Sequence, residues 1–191
     1  MILGVLSDTH GHAARASIAV ALLKRLGAEA FVHCGDVGGE AVLDALAGTR
    51  AWFVWGNTDW ADPGLERYAE SIGLSLPASI PVRLEMGGRK LAVFHGHEPG
   101  FGSLVRLMEA SDGNARAAQL QGATFVLYGH SHQAASTVHG GVRFVNPGAL
   151  HRARTYTVAT IDLVTDSVEH WVVADDMSPT ARPQRYRLAQ S

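Results

Sequence analysis

The sequence contains seven side chains of the kinds that bind metal ions, grouped in five short blocks. Nearly every block falls where an apolar run stops and a glycine-rich loop begins. Carboxylate, amide and imidazole groups in this arrangement predict a site for two divalent ions. The seven residues, in chain order, are Asp8, His10, Asp36, Asn57, His95, His130 and His132.

The spacing inside two of the blocks favours ligands that share one ion. Asp8 and His10 are separated by one residue, and so are His130 and His132. In extended or turn geometry, residues i and i+2 can point to the same side, so each pair can reach a single ion. Asp36 can bridge two ions, because a carboxylate has two oxygens.

The donor atoms restrict both the metal and the substrate. Imidazole nitrogen mixed with hard oxygen, such as the Asn57 carbonyl, suits Mn, Fe or Zn better than Ca or Mg. Two divalent ions carry four positive charges, whereas Asp8 and Asp36 supply two negative charges. Such a centre attracts a phosphate anion, although the whole chain has a formal net charge of -2.

Each block alone has a more ordinary interpretation. Aspartate and asparagine often form turns, and a single histidine is more often a core or surface residue. Five blocks in this order, each after a predicted strand, favour metal binding instead.

Other residues near the blocks have mainly structural interpretations. Trp52, Trp55 and Trp60 flank Asn57 and are predicted to pack in the core and at the rim rather than to stack on bases. Arg15 could reach a substrate phosphate from the first helix, but a solvated helix face is the favoured interpretation.

Composition indicates a single globular domain in a reducing compartment. The chain has 191 residues, of which 47% are hydrophobic and 18% are charged. This length supports a substantial core, and the small net charge argues against nucleic acid as a partner.

Cys34 is the only cysteine, so no intrachain disulfide can form. The first apolar run lacks the basic flank of a signal peptide, and no run approaches the roughly 20 apolar residues of a membrane helix. We therefore expect a cytoplasmic protein.

Hydrophobic patterning predicts alternating strands and helices in the first half and hairpins in the second. The first half has a β-α-β-α-β order, which implies a parallel sheet, over Ile2–Ser7, Ala14–Leu26, Phe31–Cys34, Gly39–Leu46 and Trp52–Trp55. The second half has three hairpins, one further strand and two helical stretches, over Val82–Met86 with Lys90–Phe94, Ala135–His139 with Val142–Asn146, Thr155–Leu163 with Ser167–Val173, Phe125–Tyr128, Leu104–Ala110 and Ala115–Leu120.

The predicted fold is of the α/β class, with two facing mixed sheets flanked by helices. We expect one domain over residues 1–174 and a poorly ordered polar tail over residues 175–191. Because the ligand blocks follow strands, they should converge on one rim, where open α/β sheets bind ligands.

The five blocks resemble the calcineurin-like metallophosphoesterase superfamily, whose pattern runs D-x-H, G-D, G-N-H-[DE], H and G-H-x-H. The small single-domain bacterial and archaeal phosphodiesterases are the most similar type. The resemblance spans Met1 to about Leu150 and includes the turn Asn146-Pro147-Gly148-Ala149. It implies a four-layer α-β-β-α sandwich and a phosphoesterase, with a phosphodiesterase favoured.

The resemblance also implies a role for each ligand and a hydroxide nucleophile between two ions. Mn is favoured as the metal, with Fe, Zn or Ni as alternatives. One ion would be held by Asp8, His10, Asp36 and His132, and the other by Asp36, Asn57, His95 and His130.

One departure from the pattern concerns the leaving group. The block G-N-H-[DE] is Gly56-Asn57-Thr58-Asp59 here, so threonine replaces the histidine that protonates or stabilises the leaving oxygen in such enzymes. Asp59 matches the acidic residue and is expected to orient neighbouring groups, which with Asp36 and Asn57 makes three predicted catalytic residues. His12 and His97 are candidate substitutes for the acid, with a substrate contact or a solvated loop position as the alternatives. Asn57 is a third candidate substrate contact.

Three rival functions remain open at this stage. The superfamily includes a non-catalytic scaffold subunit of an endosomal coat, and the metals could instead act on phosphomonoesters or on dinucleoside polyphosphates. A small phosphate ester is the expected partner, and the apolar stretch Phe101–Met108 could form a homo-oligomer interface or a pocket lid. The sequence does not identify the physiological substrate.

Overall fold

The computed structural model describes residues 1–59, 63–109, 120–176 and 181–188. These residues form eleven strands and four helices. They are β1 (Ile2–Leu6), α1 (Ala13–Arg25), β2 (Ala28–His33), α2 (Glu40–Asp44), β3 (Ala51–Phe53), α3 (Pro63–Ser71), β4 (Val82–Met86), β5 (Arg89–Val93), α4 (Phe101–Glu109), β6 (Phe125–Leu127), β7 (Ala135–His139), β8 (Val142–Asn146), β9 (Thr157–Asp162), β10 (Ser167–Val172) and β11 (Arg185–Tyr186).

The strands form two mixed sheets. The first has the order β11-β10-β9-β1-β2-β3, in which β1, β2 and β3 pair in parallel, whereas β9, β10 and β11 pair antiparallel with their neighbours. The second has the order β4-β5-β6-β8-β7, with β5, β6 and β8 parallel. The three predicted hairpins are β4–β5, β7–β8 and β9–β10.

Alternating side chains of the strands fill the space between the sheets and the space under the helices. Leu3 and Val5 of β1 belong to the same core cluster as Leu91 and Val93 of β5, so the two sheets face each other. On the other face of β1, Leu6 joins a second cluster with α1 and α2. A third cluster lies between α4 and the outer face of the second sheet. The predicted α/β fold with two facing mixed sheets and outer helices is confirmed.

The parallel strands bring the ligand blocks to one rim, as expected. The loops after β1 and β2 run side by side, because Asp8 N donates to Gly35 O at 2.9 Å and His10 N donates to Asp36 O at 2.9 Å. In the second sheet, Gly129 N donates to His95 O at 2.8 Å, which joins the loops after β5 and β6. Backbone pairing thus continues past the strand ends into the loops.

Helix α3 was missed by the sequence analysis. Its residues Leu65, Tyr68 and Ala69 face the cluster under the first sheet at the spacing of an amphipathic helix, so the signal was present in the sequence. The helical stretch predicted over residues 104–110 begins earlier, at Phe101. Most of the stretch predicted over residues 115–120 lies outside the described residues, and so do Trp60 and part of the predicted tail. Among the described residues, none of the helices has the length and apolar character that a membrane span requires.

The described residues of the polar tail contact the rest of the domain. Strand β11 pairs with β10, and Arg185 contacts the Glu169 carboxylate at 2.6 Å. Asp175 accepts hydrogen bonds at 2.6 and 2.8 Å from Arg15. A polar composition did not reveal these ion pairs, because both partners are distant in sequence.

Arg15 is buried, and the expectation of a solvated helix face is wrong for it. Only 9% of its surface is exposed, and its guanidinium lies 3.6 Å from the centre of the Tyr156 ring. It also donates to the carbonyl of Leu150. The side chain therefore ties α1 to the segment after β8 and to Asp175.

Candidate metal centre

Five of the seven predicted ligands have an unusual backbone conformation. Their φ angles are 54° at Asp8, 45° at His10, 53° at Asp36, 65° at His130 and 57° at His132. Residues other than glycine rarely have positive φ, and such strain clusters at functional sites, where the surrounding structure enforces it. The strained loops aim these side chains at a common point instead of continuing the strands.

Four ligands form one compact group. The nearest donor atoms of Asp8, His10, Asp36 and His132 all lie within 4.8 Å of one another. The Nε2 atoms of His10 and His132 are 3.3 Å apart, and His132 Nε2 lies 3.2 Å from Asp8 Oδ1. Both aspartates are buried. Buried carboxylate oxygens with imidazole nitrogens around them are a donor set that fits a divalent transition metal.

The remaining ligands form a second group around His95. Its Nε2 lies 3.0 Å from Asn57 Oδ1 and 3.4 Å from Asp36 Oδ2, and its ring centre is 5.1 Å from that of His130. Asp36 Oδ2 also lies 3.4 Å from His10 Nε2. The same oxygen of Asp36 therefore faces one histidine of each group.

The tautomer of His95 is determined by a hydrogen bond on the side of the ring that faces away from the other predicted ligands. Its Nδ1 donates to the Cys34 carbonyl at 2.7 Å, which leaves Nε2 free to bind a metal. A second hydrogen bond of this kind is usual for metal-binding histidines. Cys34 itself is fully buried, and burial raises the pKa of its thiol well above the usual value. A buried thiol of this kind behaves as a small hydrophobic side chain.

Burial and hydrogen bonding shift the pKa values of Asp8 and Asp36 in opposite directions. Burial raises the pKa of Asp8, against the opposing effects of Ser7, His95 and His132. Burial also raises the pKa of Asp36, but hydrogen bonds from His95 and Thr58 outweigh it and the pKa falls well below its usual value. An ion beside Asp8 would favour its charged form, because a cation stabilises a buried carboxylate.

Asp59 organises two ligand loops through backbone amides. Its Oδ2 accepts hydrogen bonds from Val37 N at 2.9 Å and Gly56 N at 2.8 Å, and its Oδ1 accepts one from Gly38 N at 2.8 Å. These contacts join the loop of Asp36 to the loop of Asn57. The geometry fits an orienting residue better than one that touches the reacting atoms.

Two further anchors were not recognised in the sequence. Glu98 accepts hydrogen bonds from His95 N at 2.6 Å and Gly96 N at 2.7 Å. Asn146 donates to Gly129 O at 2.8 Å and so supports the loop of His130. Glu98 lies three residues after His95, and Asn146 is the first residue of the N-P-G turn. Neither position in the sequence indicates which backbone group the side chain binds.

Glycine is required where two ligand loops touch. A Cβ atom at Gly56 would collide with the backbone and carboxylate of Asp36, and one at Gly129 would collide with the side chains of Ser7 and Asp8. These glycines allow the close approach of loops. They are therefore part of what brings the ligands together.

Candidate substrate contacts lie on two sides of the ligands. The His12 ring stacks on that of His151 at 4.4 Å, and the His151 ring lies 5.3 Å from that of His10. The His97 ring lies 5.2 Å from that of His95. His12 is thus on the side of the first ligand group and His97 on the side of the second. His151 was missed, because only the fold brings it next to His12.

Thr58 lies within the first ligand group. Its amide donates to Asp36 Oδ1 at 2.9 Å, and its hydroxyl is 3.4 Å from His10 Nδ1. The side chain can donate or accept a hydrogen bond, but it is not an acid near neutral pH. Thr58 therefore contacts two predicted ligands but offers no titratable proton at this position.

The whole site lies within the part of the chain that matches a family model. Residues 1–166 match the model of the calcineurin-like phosphoesterase superfamily domain. The chain belongs to the calcineurin-like phosphoesterase superfamily. The resemblance inferred from the five blocks is therefore confirmed, and so is the class of enzyme, a metallophosphoesterase.

Two curated relatives agree with this class. A phosphodiesterase of Methanocaldococcus jannaschii is 23% identical over 150 residues, which cover 78% of this chain and 83% of the relative. A probable metallophosphoesterase of Bacillus subtilis, YsnB, is 29% identical over 165 residues, covering 83% of each chain.

Solved structures show the same fold at low sequence identity. An archaeal phosphodiesterase superposes with a TM-score of 0.75 at 21% identity, covering 91% of this chain and all of the other. Zinc-bound Vps29 of Entamoeba histolytica superposes with a TM-score of 0.60 at 18% identity, covering 97% and 98%. The fold is thus shared by proteins described as enzymes and by Vps29.

Proposed function

We propose that the chain is a phosphodiesterase with a centre for two divalent ions, and that its substrate is a small phosphate ester. The observation that carries this proposal is the position of Asp36 Oδ2, 3.4 Å from the Nε2 atoms of both His10 and His95. When bound, the two ions would supply a hydroxide nucleophile and neutralise charge on the phosphoryl oxygens.

The chain's own residues hold and orient these groups. Asp8, His10, Asp36 and His132 would hold one ion, and Asp36, Asn57, His95 and His130 would hold the other. The donor set of nitrogen and oxygen favours Mn, with Fe, Zn or Ni as alternatives. Asp59 fixes the loops of two of these ligands, and the neighbouring histidines offer N–H donors to a phosphate anion.

Thr58 restricts the kind of ester that the centre hydrolyses well. A general acid contributes roughly 100- to 10,000-fold in such reactions, and threonine does not supply one. We therefore expect efficient hydrolysis of esters whose leaving group is stable without a proton, such as aryl esters and some nucleotide esters. His12 and His97 remain candidate donors on the two sides of the centre.

Hydrolysis of aryl esters by protein reconstituted with Mn tests the proposal. Bis(p-nitrophenyl) phosphate and p-nitrophenyl phosphate release the same chromophore, so their rates separate a diesterase from a monoesterase. Asp36→Asn should abolish turnover, whereas Asp44→Asn, an aspartate on α2 that is bound by Tyr68, should not. Wild-type rates equal to those of Asp36→Asn on both substrates would show that the protein is not such an enzyme.

A non-catalytic scaffold is the second candidate, because the fold of Vps29 is similar. The convergence of four donor residues within 4.8 Å supports an enzyme over this alternative. Elemental analysis after reconstitution, combined with the ester assay, separates the two. Near-zero Mn, Fe, Zn and Ni would favour the scaffold, whereas about two ions per chain would favour the enzyme only together with ester hydrolysis, because Vps29 has also been solved with zinc.

A further inference from the structure

His33, the last residue of β2, is a buried histidine outside the ligand set. Its surface is fully covered. Its Nε2 lies 2.9 Å from the hydroxyl of Thr9, and its Nδ1 accepts a hydrogen bond from Gly35 N at 3.2 Å. Both nitrogens therefore contact ligand loops, because Thr9 lies between Asp8 and His10 and Gly35 precedes Asp36.

The hydrogen bonds allow only one arrangement of protons. A backbone N–H can only donate, so His33 Nδ1 is unprotonated where it accepts from Gly35. The neutral ring then carries its proton on Nε2 and donates to Thr9 Oγ1. The Thr9 hydroxyl in turn donates hydrogen bonds to the carbonyls of Val37 at 2.9 Å and Asp36 at 3.2 Å. The chain of donors thus begins and ends in the loop of Asp36.

We propose that His33 is a positioning residue of the metal centre, which locks Thr9 and its two ligand neighbours to the loop of Asp36. The proposal rests on the proposed metal centre but not on the identity of the substrate. Two backbone bonds, from Asp8 to Gly35 and from His10 to Asp36, already align these loops. The hydrogen bond between the His33 and Thr9 side chains adds a third link between the two loops that carry the strained ligands.

The protonation behaviour of His33 suits this role. Burial, with a smaller effect of His95, lowers its pKa to about 3. The ring therefore stays neutral at the pH values where a phosphoesterase works, and it keeps the same donor and acceptor. If Nδ1 of His33 gained a second proton, it would become a donor and could no longer accept the hydrogen bond from Gly35 N.

His170 provides a matched control within the same chain. It is also buried, and burial lowers its pKa. Its Nε2 contacts the Asn146 carbonyl at 2.8 Å. His170 therefore reaches the loop of His130 only through Asn146, whereas His33 contacts two ligand loops directly. A loss of general stability should therefore appear in variants of both histidines, whereas a loss of metal affinity should appear only at His33.

The first test measures the dissociation constant for Mn, together with thermal unfolding of the metal-free protein. His33→Phe should weaken Mn binding by about 10- to 100-fold, the usual effect of removing a residue that orients metal ligands. His33→Gln should recover part of this loss, because an amide can still accept from Gly35 or donate to Thr9. His170→Phe should lower the unfolding temperature but leave the Mn constant within about twofold. Equal Mn constants for wild type and His33→Phe, or equal losses in both phenylalanine variants, would overturn the proposal.

A second test does not depend on the folding of a His33 variant. Thr9→Val removes the hydroxyl with little change in shape and should also weaken Mn binding by about tenfold or more. Long-range ¹H–¹⁵N spectra of the metal-free wild type should show His33 with a protonated Nε2 and a bare Nδ1, unchanged between about pH 5 and 8. A protonated Nδ1, or unaltered Mn binding by a folded Thr9→Val, would contradict the proposal. Neither measurement requires turnover, so an inactive protein that binds Mn would disprove only the proposed function.

Discussion

His95 and Asp36 meet across the two sheets, with His95 Nε2 at 3.4 Å from Asp36 Oδ2. Asp36 follows β2 of the first sheet and His95 follows β5 of the second. Burial lowers the pKa of His95, but the hydrogen bond to Asp36 and the one to the Cys34 carbonyl outweigh it and raise the pKa. The contact therefore joins the two halves of the molecule at the point where both ligand groups meet.

His95→Ala should remove most activity while leaving the fold intact. The substitution removes the contacts with Asp36 and Asn57, and we expect kcat/KM to fall by more than about 100-fold, since loss of a residue that merely supports a ligand costs about 10- to 100-fold. Steady-state kinetics and the Mn content of the purified variant would check this. His139→Ala, on β7 beside Phe144, is the control that should keep full activity.

Thr58→His should change the dependence of the rate on the leaving group. An imidazole at this position, next to Asp36 and His10, could protonate a leaving oxygen. We expect rates on alkyl diesters to rise by about tenfold or more, with little change on bis(p-nitrophenyl) phosphate, whose leaving group needs no proton. A plot of log kcat/KM against leaving-group pKa should be steep for the wild type and flatter for the variant. Equal slopes would show that Thr58 is not at the leaving-group side.

The seven candidate ligands, the parallel sheet and the hairpins could be predicted from the sequence, because each depends on local pattern. The side chains that hold the ligand loops could not. Glu98 and His33 bind backbone groups, and no residue type in the sequence marks a backbone partner. His151 is 139 positions from His12 along the numbering, yet the two rings stack. Helix α3 could also have been predicted, because Leu65, Tyr68 and Ala69 have the spacing of an amphipathic helix.

The stability of the metal-free protein should fall in mild acid. His33 has a pKa of about 3 in the folded protein and about 6.5 when unfolded. Between these values the unfolded chain binds more protons, so the free energy of unfolding rises with pH. The contribution of His33 is complete above about pH 6.5 and is lost progressively as the pH falls towards 3, at up to about 1.4 kcal/mol per pH unit.

Urea unfolding of the metal-free wild type and of His33→Gln between pH 5 and 7.5 would measure this effect. The difference in free energy between the two proteins should shrink as the pH falls, because glutamine does not titrate. A difference that stays constant over this range would show that His33 does not carry the depressed pKa.

His151→Ala should weaken substrate binding more than it slows the chemical step. The ring stacks on His12 and faces His10 at 5.3 Å, whereas none of the close ligand-to-ligand contacts described above involves it. Loss of a contact that is equally strong in the ground state and the transition state raises KM and leaves kcat unchanged. We expect KM for bis(p-nitrophenyl) phosphate to rise severalfold, with kcat and Mn content close to those of the wild type and of His139→Ala. A fall in kcat at constant KM would instead place His151 in the chemical step, as the proton donor that Thr58 does not supply. An unchanged KM and kcat would show that the substrate lies on the opposite side, towards His97.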